Sequence, residues 1–185
     1  MVLLKRNDDN NGHRGSDGNV STALNCKGTD VYDIAIRPLT RSDVWDLRHY
    51  CFPEETAESV ADYVDRALGF VEKGSAAHFV AESRGHAVAN AQLICWRGRA
   101  EIGSLVVAEP LRGLGIGSAL IEALSEAAAD LGAEQIEIGA DKRDERVLGL
   151  YQRLGFNPFK EVHLSRGGAE EEHVVYLEKP VPPRA

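Results

Sequence analysis

Two periods of apolar recurrence alternate along this chain, and their boundaries divide it into elements. Val31 to Arg37 alternates apolar and polar residues and predicts a first strand, closed by Pro38, with Ser42 or Asp43 placed to cap the next helix. Val44, Leu47 and Tyr50 then share a helical face. Beyond Pro53, Val60, Tyr63, Val64 and Leu68 repeat that spacing, so two helices follow the first strand. Period two returns in Ala77 to Glu82 and Ala87 to Trp96, joined by Ser83-Arg84-Gly85-His86, where glycine accepts the positive φ of a hairpin turn. Arg97-Gly98-Arg99 makes a second tight turn into Ala100 to Ala108. These segments predict three antiparallel strands.

From Ile116 the residues Ala119, Leu120, Ala123, Leu124, Ala127 and Leu131 recur at i, i+3, i+4 spacing, and Gly132 ends the helix. Ala133 to Ala140 reads as a strand. Asp144 can cap a further helix whose inner face is Val147, Leu148, Tyr151 and Leu154, stopped by Gly155. Phe159 to Leu164 and His173 to Leu177 close the pattern as two strands around Ser165-Arg166-Gly167-Gly168-Ala169. No internal repeat is present. Residues 7 to 30 carry few large apolar side chains, so ordering them costs entropy with little burial in return. The expected organisation is a flexible tail over 1–30 and one domain over 31–180.

Composition narrows the function classes. A hydrophobic fraction of 43% over 185 residues suffices for one core. The formal charge of -8 argues against a nucleic-acid surface, which needs clustered Lys and Arg. Cys26, Cys51 and Cys95 are odd in number and lack CxxC or Cys/His spacing, which suggests neither a disulfide framework nor a metal site. Val2-Leu3-Leu4 is too short for a secretory signal, and no apolar run approaches the ~20 residues of a membrane helix. The expectation is a cytoplasmic protein with no membrane partner.

The segment Arg112-Gly113-Leu114-Gly115-Ile116-Gly117 lies between a strand and a long helix, where free backbone N–H groups can be aimed at an anion. Three glycines remove Cβ atoms that would hold a phosphate away, and Arg112 adds a planar cation. This outlines a pyrophosphate site. No Gly-Lys-Ser/Thr follows as in a P-loop, and the spacing is not GxGxxG. Taken alone, the glycines read rather as a turn that allows tight helix-to-strand packing.

Their surroundings change that reading. Arg112, Gly115 and Gly117 match the Arg/Gln-x-x-Gly-x-Gly/Ala loop of the GNAT acetyltransferase superfamily, preceded by Leu105-Val106-Val107-Ala108-Glu109-Pro110-Leu111 in the order typical there. Leu150-Tyr151-Gln152-Arg153-Leu154-Gly155-Phe156 resembles the family's Leu-Tyr-x-x-x-Gly-Phe segment. The resemblance spans roughly Val31 to Leu177. It implies an α/β (α+β) GNAT fold, a central mixed, mostly antiparallel sheet of about seven strands flanked by four helices. It also implies an N-acetyltransferase using acetyl-CoA as co-substrate, without a metal.

By that resemblance the coenzyme contacts are Leu105, Val106, Val107, Arg112, Gly113, Leu114, Gly115, Ile116, Gly117, Ser118 and Asp144. A main-chain N–H near Leu105 and Val107 polarises the thioester carbonyl. Tyr151 matches the general acid that protonates the departing thiolate, while its spacing with Val147 and Leu148 suits a core tyrosine equally. Glu101 matches a carboxylate that deprotonates the amine, directly or through water, against the plainer reading of a solvated strand Glu; His86 is the alternative base. Asp144 departs from the Asn common at its position, and Val147 from a common Ala. The acceptor is a small-molecule amine or a protein amine, which the acidic group Glu54, Glu55, Glu58 and Asp62 would attract. A homodimer is one option the fold offers. The rival readings are a catalytically silent coenzyme A-binding sensor and transfer of a longer acyl group.

Overall fold

The computed structural model describes Val20–Ser21, 33–164 and 172–181. The element order is β1 (Val20–Ser21), β2 (Ile34–Pro38), α1 (Val44–Asp46), α2 (Ala57–Glu72), β3 (Ala76–Ser83), β4 (His86–Trp96), β5 (Arg99–Val107), α3 (Ile116–Asp130), β6 (Gln135–Asp141), α4 (Glu145–Arg153), β7 (Asn157–Leu164) and β8 (Glu172–Pro180). The expected tail lies outside the described residues apart from β1, which pairs with β2. The loop Ser165 to Ala169 also lies outside them.

Hydrogen bonding orders the strands β1-β2-β3-β4-β5-β6-β8-β7. Only β5 and β6 run parallel, because the α3 crossover joins them; the remaining pairs are antiparallel. Arg84 and Gly85 take φ of 52° and 82°, and Arg97 and Gly98 take 48° and 77°, so both hairpins turn in two residues with positive φ. The last strand, β8, inserts between β6 and β7, leaving β7 at the edge. That position accommodates Pro158, whose missing N–H would break an interior ladder.

The sheet buries both faces. On one, Ala89, Ala91, Leu93, Ala100, Ile102, Ile136 and Ile138 pack with Leu120, Ile121 and Leu124 of α3, and Tyr151 of α4 joins them. On the other, Val80 and Ala87 pack with Leu47, Val60, Val64 and Ala67. Burying each such aliphatic side chain contributes about 1.5–3 kcal/mol. The first predicted helix differs from expectation. It is a 3-10 turn at Arg41–Asp43, one α turn at α1 and a π turn over Leu47–Cys51. Asp43 does not cap the following helix with its side chain. Its buried carboxylate accepts from the Thr40 N–H at 2.8 Å and pairs with Arg37 at 2.7 Å.

One irregularity positions the site. Ile102 and Leu105 both contact the α3-side core although three positions separate them, and Val106 contacts the opposite core. Strict alternation would put Ile102 and Leu105 on opposite faces. The register gives the reason: Asn90 opposes Val106 and Gln92 opposes Gly103, so Ala91 alone faces Ser104 and Leu105. Ser104 is the extra residue of a β-bulge, with φ of 51°.

Candidate active site

Parallel pairing of β5 with β6 extends only from Arg99↔Gln135 to Ile102↔Ile138. Beyond that point β5 bulges and the two strands part. Next to the opening is a cavity of about 450 Å³, lined by Leu105 and Val107 of β5, Leu111, the loop and first helical turn from Arg112 to Ser118 apart from Leu114, and five residues of α4. Those five are Arg146, Val147, Leu150, Tyr151 and Arg153.

Backbone handedness explains two glycines of the loop. Gly113 and Gly115 take φ of 83° and 85°, where an L side chain is strained, yet a Cβ on either would meet nothing within 4 Å. Glycine is therefore required by the turn, and space is left open above it. Gly117 differs, since its Cβ would make ordinary contact, 3.9 Å from the Val107 side chain. The first α3 bond from within the helix's leading turn is Ala119 N–H to the Gly115 carbonyl at 3.0 Å. The N–H groups of Ile116, Gly117 and Ser118 thus precede the ladder at the positive end of the helix dipole, and Gly115 supplies no side-chain cap. Arg112 Nε donates to the Val107 carbonyl at 3.1 Å, tying the loop to the end of β5.

Tyr151 reaches the same cavity from α4. Burial, and then the charge of Asp144, push its phenol up to about 12. Asp144 itself caps α4, accepting the Val147 N–H at 3.0 Å, and does not line the cavity. Leu114 packs against the α3-side core and Val106 against the α2-side cluster, so neither lines it. Arg146 lies outside both sequence motifs, and Leu150 and Arg153 belong to the Tyr151 motif without being expected in the cavity wall. Their i, i+4, i+7 spacing on one face of α4 is the signal that would have marked them.

Glu101 lies elsewhere. Ala100 and Ile102 point to the α3 side, so the alternation of β5 turns Glu101 to the other face. There it lines a second cavity of about 240 Å³ with Gln92, Ile94, Trp96, Gly103 and Ser104. Burial, with Glu137 adding to it, raises the Glu101 carboxyl above the ordinary range against the pull of Lys160. Glu137 is held by Arg99, which also reaches Glu178 at 2.8 Å. His86 lines neither cavity; its Nδ1 lies 3.1 Å from Asp46 Oδ1 and fastens the hairpin to α1. Glu54, Glu55, Glu58 and Asp62 line neither cavity. Among the described residues no group of three or more His, Cys, Asp or Glu is arranged to hold a metal. No described helix is long and apolar enough to cross a membrane.

A mixed sheet that parts between its two parallel strands, with a glycine-rich helix N-terminus beside the opening, is an arrangement suited to holding an anionic group next to β5. The chain belongs to the acetyltransferase (GNAT) family, whose model matches residues 36–156. It is 37% identical over 62 residues to the uncharacterized N-acetyltransferase YobR of Bacillus subtilis; that match covers 34% of this chain and 25% of the relative. In fold it resembles a ribosomal-protein-alanine N-acetyltransferase from Brucella melitensis, with TM-score 0.69, 20% identity, and 78% and 98% of the two chains covered. A phosphinothricin acetyltransferase from Sinorhizobium meliloti, solved with acetyl-CoA, gives TM-score 0.67 and 16% identity over 80% and 88% of the chains.

Proposed function

We propose that the chain moves an acetyl group from acetyl-CoA to a primary amine by direct attack in a ternary complex. The observation that carries this reading is the pair of cavities on opposite faces of β5, beside the place where it parts from β6. The coenzyme diphosphate would meet the N–H groups of residues 113–118 and the Arg112 guanidinium. Ala108 N–H pairs with the Val88 carbonyl, so alternation turns the main chain of Leu105 and Val107 away from β4, and an N–H there would polarise the thioester carbonyl. The amine would approach from the Glu101 side. Its nitrogen attacks the carbonyl carbon, the C–N bond forms and the C–S bond breaks. Glu101 takes the amine proton, directly or through water, and Tyr151 gives its proton to the coenzyme thiolate. Exchange with solvent then restores both groups.

The acceptor is read as an uncharged form of a small-molecule or protein amine, and the reaction as cytoplasmic. The test is acetyl-CoA consumption over a panel of small amines and peptides, run beside melting shifts with coenzyme A. Turnover of at least one amine, with stabilisation by the coenzyme, is expected. Stabilisation without any turnover would replace this reading with a coenzyme-binding sensor, and turnover only with longer thioesters would change the acyl donor.

A further inference from the structure

Behind the bulge, on the α2 side of the sheet, lies a buried polar cluster with no part in the chemistry above. Asn90 is fully buried in an otherwise apolar stretch of β4, and His78 of β3 is 3% exposed beside it. Asn90 Nδ2 donates to the Ser104 carbonyl at 2.8 Å and to the Tyr63 hydroxyl at 3.0 Å. Asn90 Oδ1 lies 2.6 Å from His78 Nε2.

Tyr63 Oη also lies 3.4 Å from His78 Nε2, and the chemistry of these groups fixes the direction of the amide and the tautomer of the ring. A carbonyl only accepts, so the Asn90 amide must turn its NH₂ toward Ser104 and its oxygen toward His78. His78 must then carry its hydrogen on Nε2. The remaining nitrogen, Nδ1, is buried without a hydrogen-bond partner among the described residues, which keeps the ring neutral. Burial lowers the His78 pKa accordingly, against the opposing pull of Asn90. The ring is thus a fixed donor whose effect is to orient one amide.

That amide holds the carbonyl of the one β5 residue with positive φ. A serine in this conformation is strained, and an L residue stays there only when its surroundings hold it. Without the bulge the pleat would carry Leu105 and Val107 to the wrong face of β5. We propose that Asn90 is a positioning residue for acyl transfer: its bond to Ser104 holds the bulge that presents the Leu105–Val107 main chain to the thioester, and His78 fixes the direction of that bond. This rests on the reading that this segment polarises the thioester carbonyl.

Infrared spectroscopy of bound acetyl-CoA carrying a ¹³C carbonyl reads that polarisation without requiring an acceptor, and calorimetry reads binding separately. In the unaltered protein the bound carbonyl stretch should lie below its frequency in free acetyl-CoA. In Asn90→Ala at least half of that shift should vanish, while Kd, set by the loop at residues 112–118, stays within about threefold. His78→Leu should do the same, and His78→Gln, whose amide can donate from the place of Nε2, should restore the shift. This pair keeps the test open if Asn90→Ala does not fold. A full shift in Asn90→Ala or in His78→Leu overturns the proposal, as does a loss matched by an equal loss of binding. No shift in the unaltered protein overturns it differently, by removing the reading on which it rests.

Discussion

Tyr151 and Glu101 are both displaced upward in pKa by burial, and the displacement has opposite consequences for an acid and a base. Held at about 12 by burial and by Asp144, the phenol stays protonated through the neutral and moderately alkaline range. No alkaline limb from Tyr151 should then appear there in a pH–rate profile. Tyr151→Phe should lower kcat about 100-fold with KM for acetyl-CoA unchanged, measured by steady-state kinetics. Glu101 must be ionised to accept a proton, and its pKa is raised by burial first and by Glu137 second. Activity should therefore be full above that raised pKa and fall as pH drops through it, at a higher pH than an exposed glutamate would give. Glu101→Gln should lower kcat/KM and remove that acid limb, as a pH series of kcat/KM would record.

Among the elements, α3 and α4 each begin with a residue whose local role can be separated from the chemistry. Gly115 has φ of 85° and open space where a Cβ would stand, so Gly115→Ala suffers from backbone handedness rather than collision. The cost should be about 1–2 kcal/mol, seen as a Tm lower by roughly 5 °C, with weaker coenzyme binding by calorimetry because the leading N–H groups lose their alignment. Asp144 combines a cap with a charge. Asp144→Ala should cost about 1 kcal/mol in thermal melts, whereas Asp144→Asn should keep most of the cap. Removing the charge should also bring the Tyr151 pKa down, which an ultraviolet titration of the Asn variant would detect.

At the scale of the whole molecule, Arg37 joins β2 to the helical segment through Asp43 and to β3 through Glu82, at 2.7 and 2.6 Å. Burial pushes the Asp43 carboxyl up, but Arg37 and the two groups of Thr40 outweigh it and hold the carboxyl below its ordinary range. A pKa depressed in the folded state stabilises the fold above the unfolded value, and that stability is lost as pH falls through the folded one. Asp43→Ala should cost about 2 kcal/mol near neutrality, and the difference from the unaltered protein should shrink in acid. Urea unfolding across a pH series would check both the size and the sign.

The local part of this protein is legible in its sequence. The two tight hairpins and the amphipathic faces of α2, α3 and α4 follow from backbone handedness and residue periodicity, which act over a few positions, whereas Gly113 and Gly115, expected to clear Cβ atoms from a phosphate, are required by their positive φ. The glycine loop and the Tyr151 segment are likewise contiguous, so the family resemblance and part of the cavity lining could be read from them. Three matters were decided only by the tertiary structure. The sequence pattern left open that β8 lies between β6 and β7, that Ala91 faces two residues of β5, and that Glu101 and Tyr151 open onto different faces. Each depends on which strand pairs with which and in what register. The Asn90 cluster depends on the same pairing: an asparagine among alanines and a valine has no evident purpose until a histidine from the preceding strand and a carbonyl from the following one stand on either side of it.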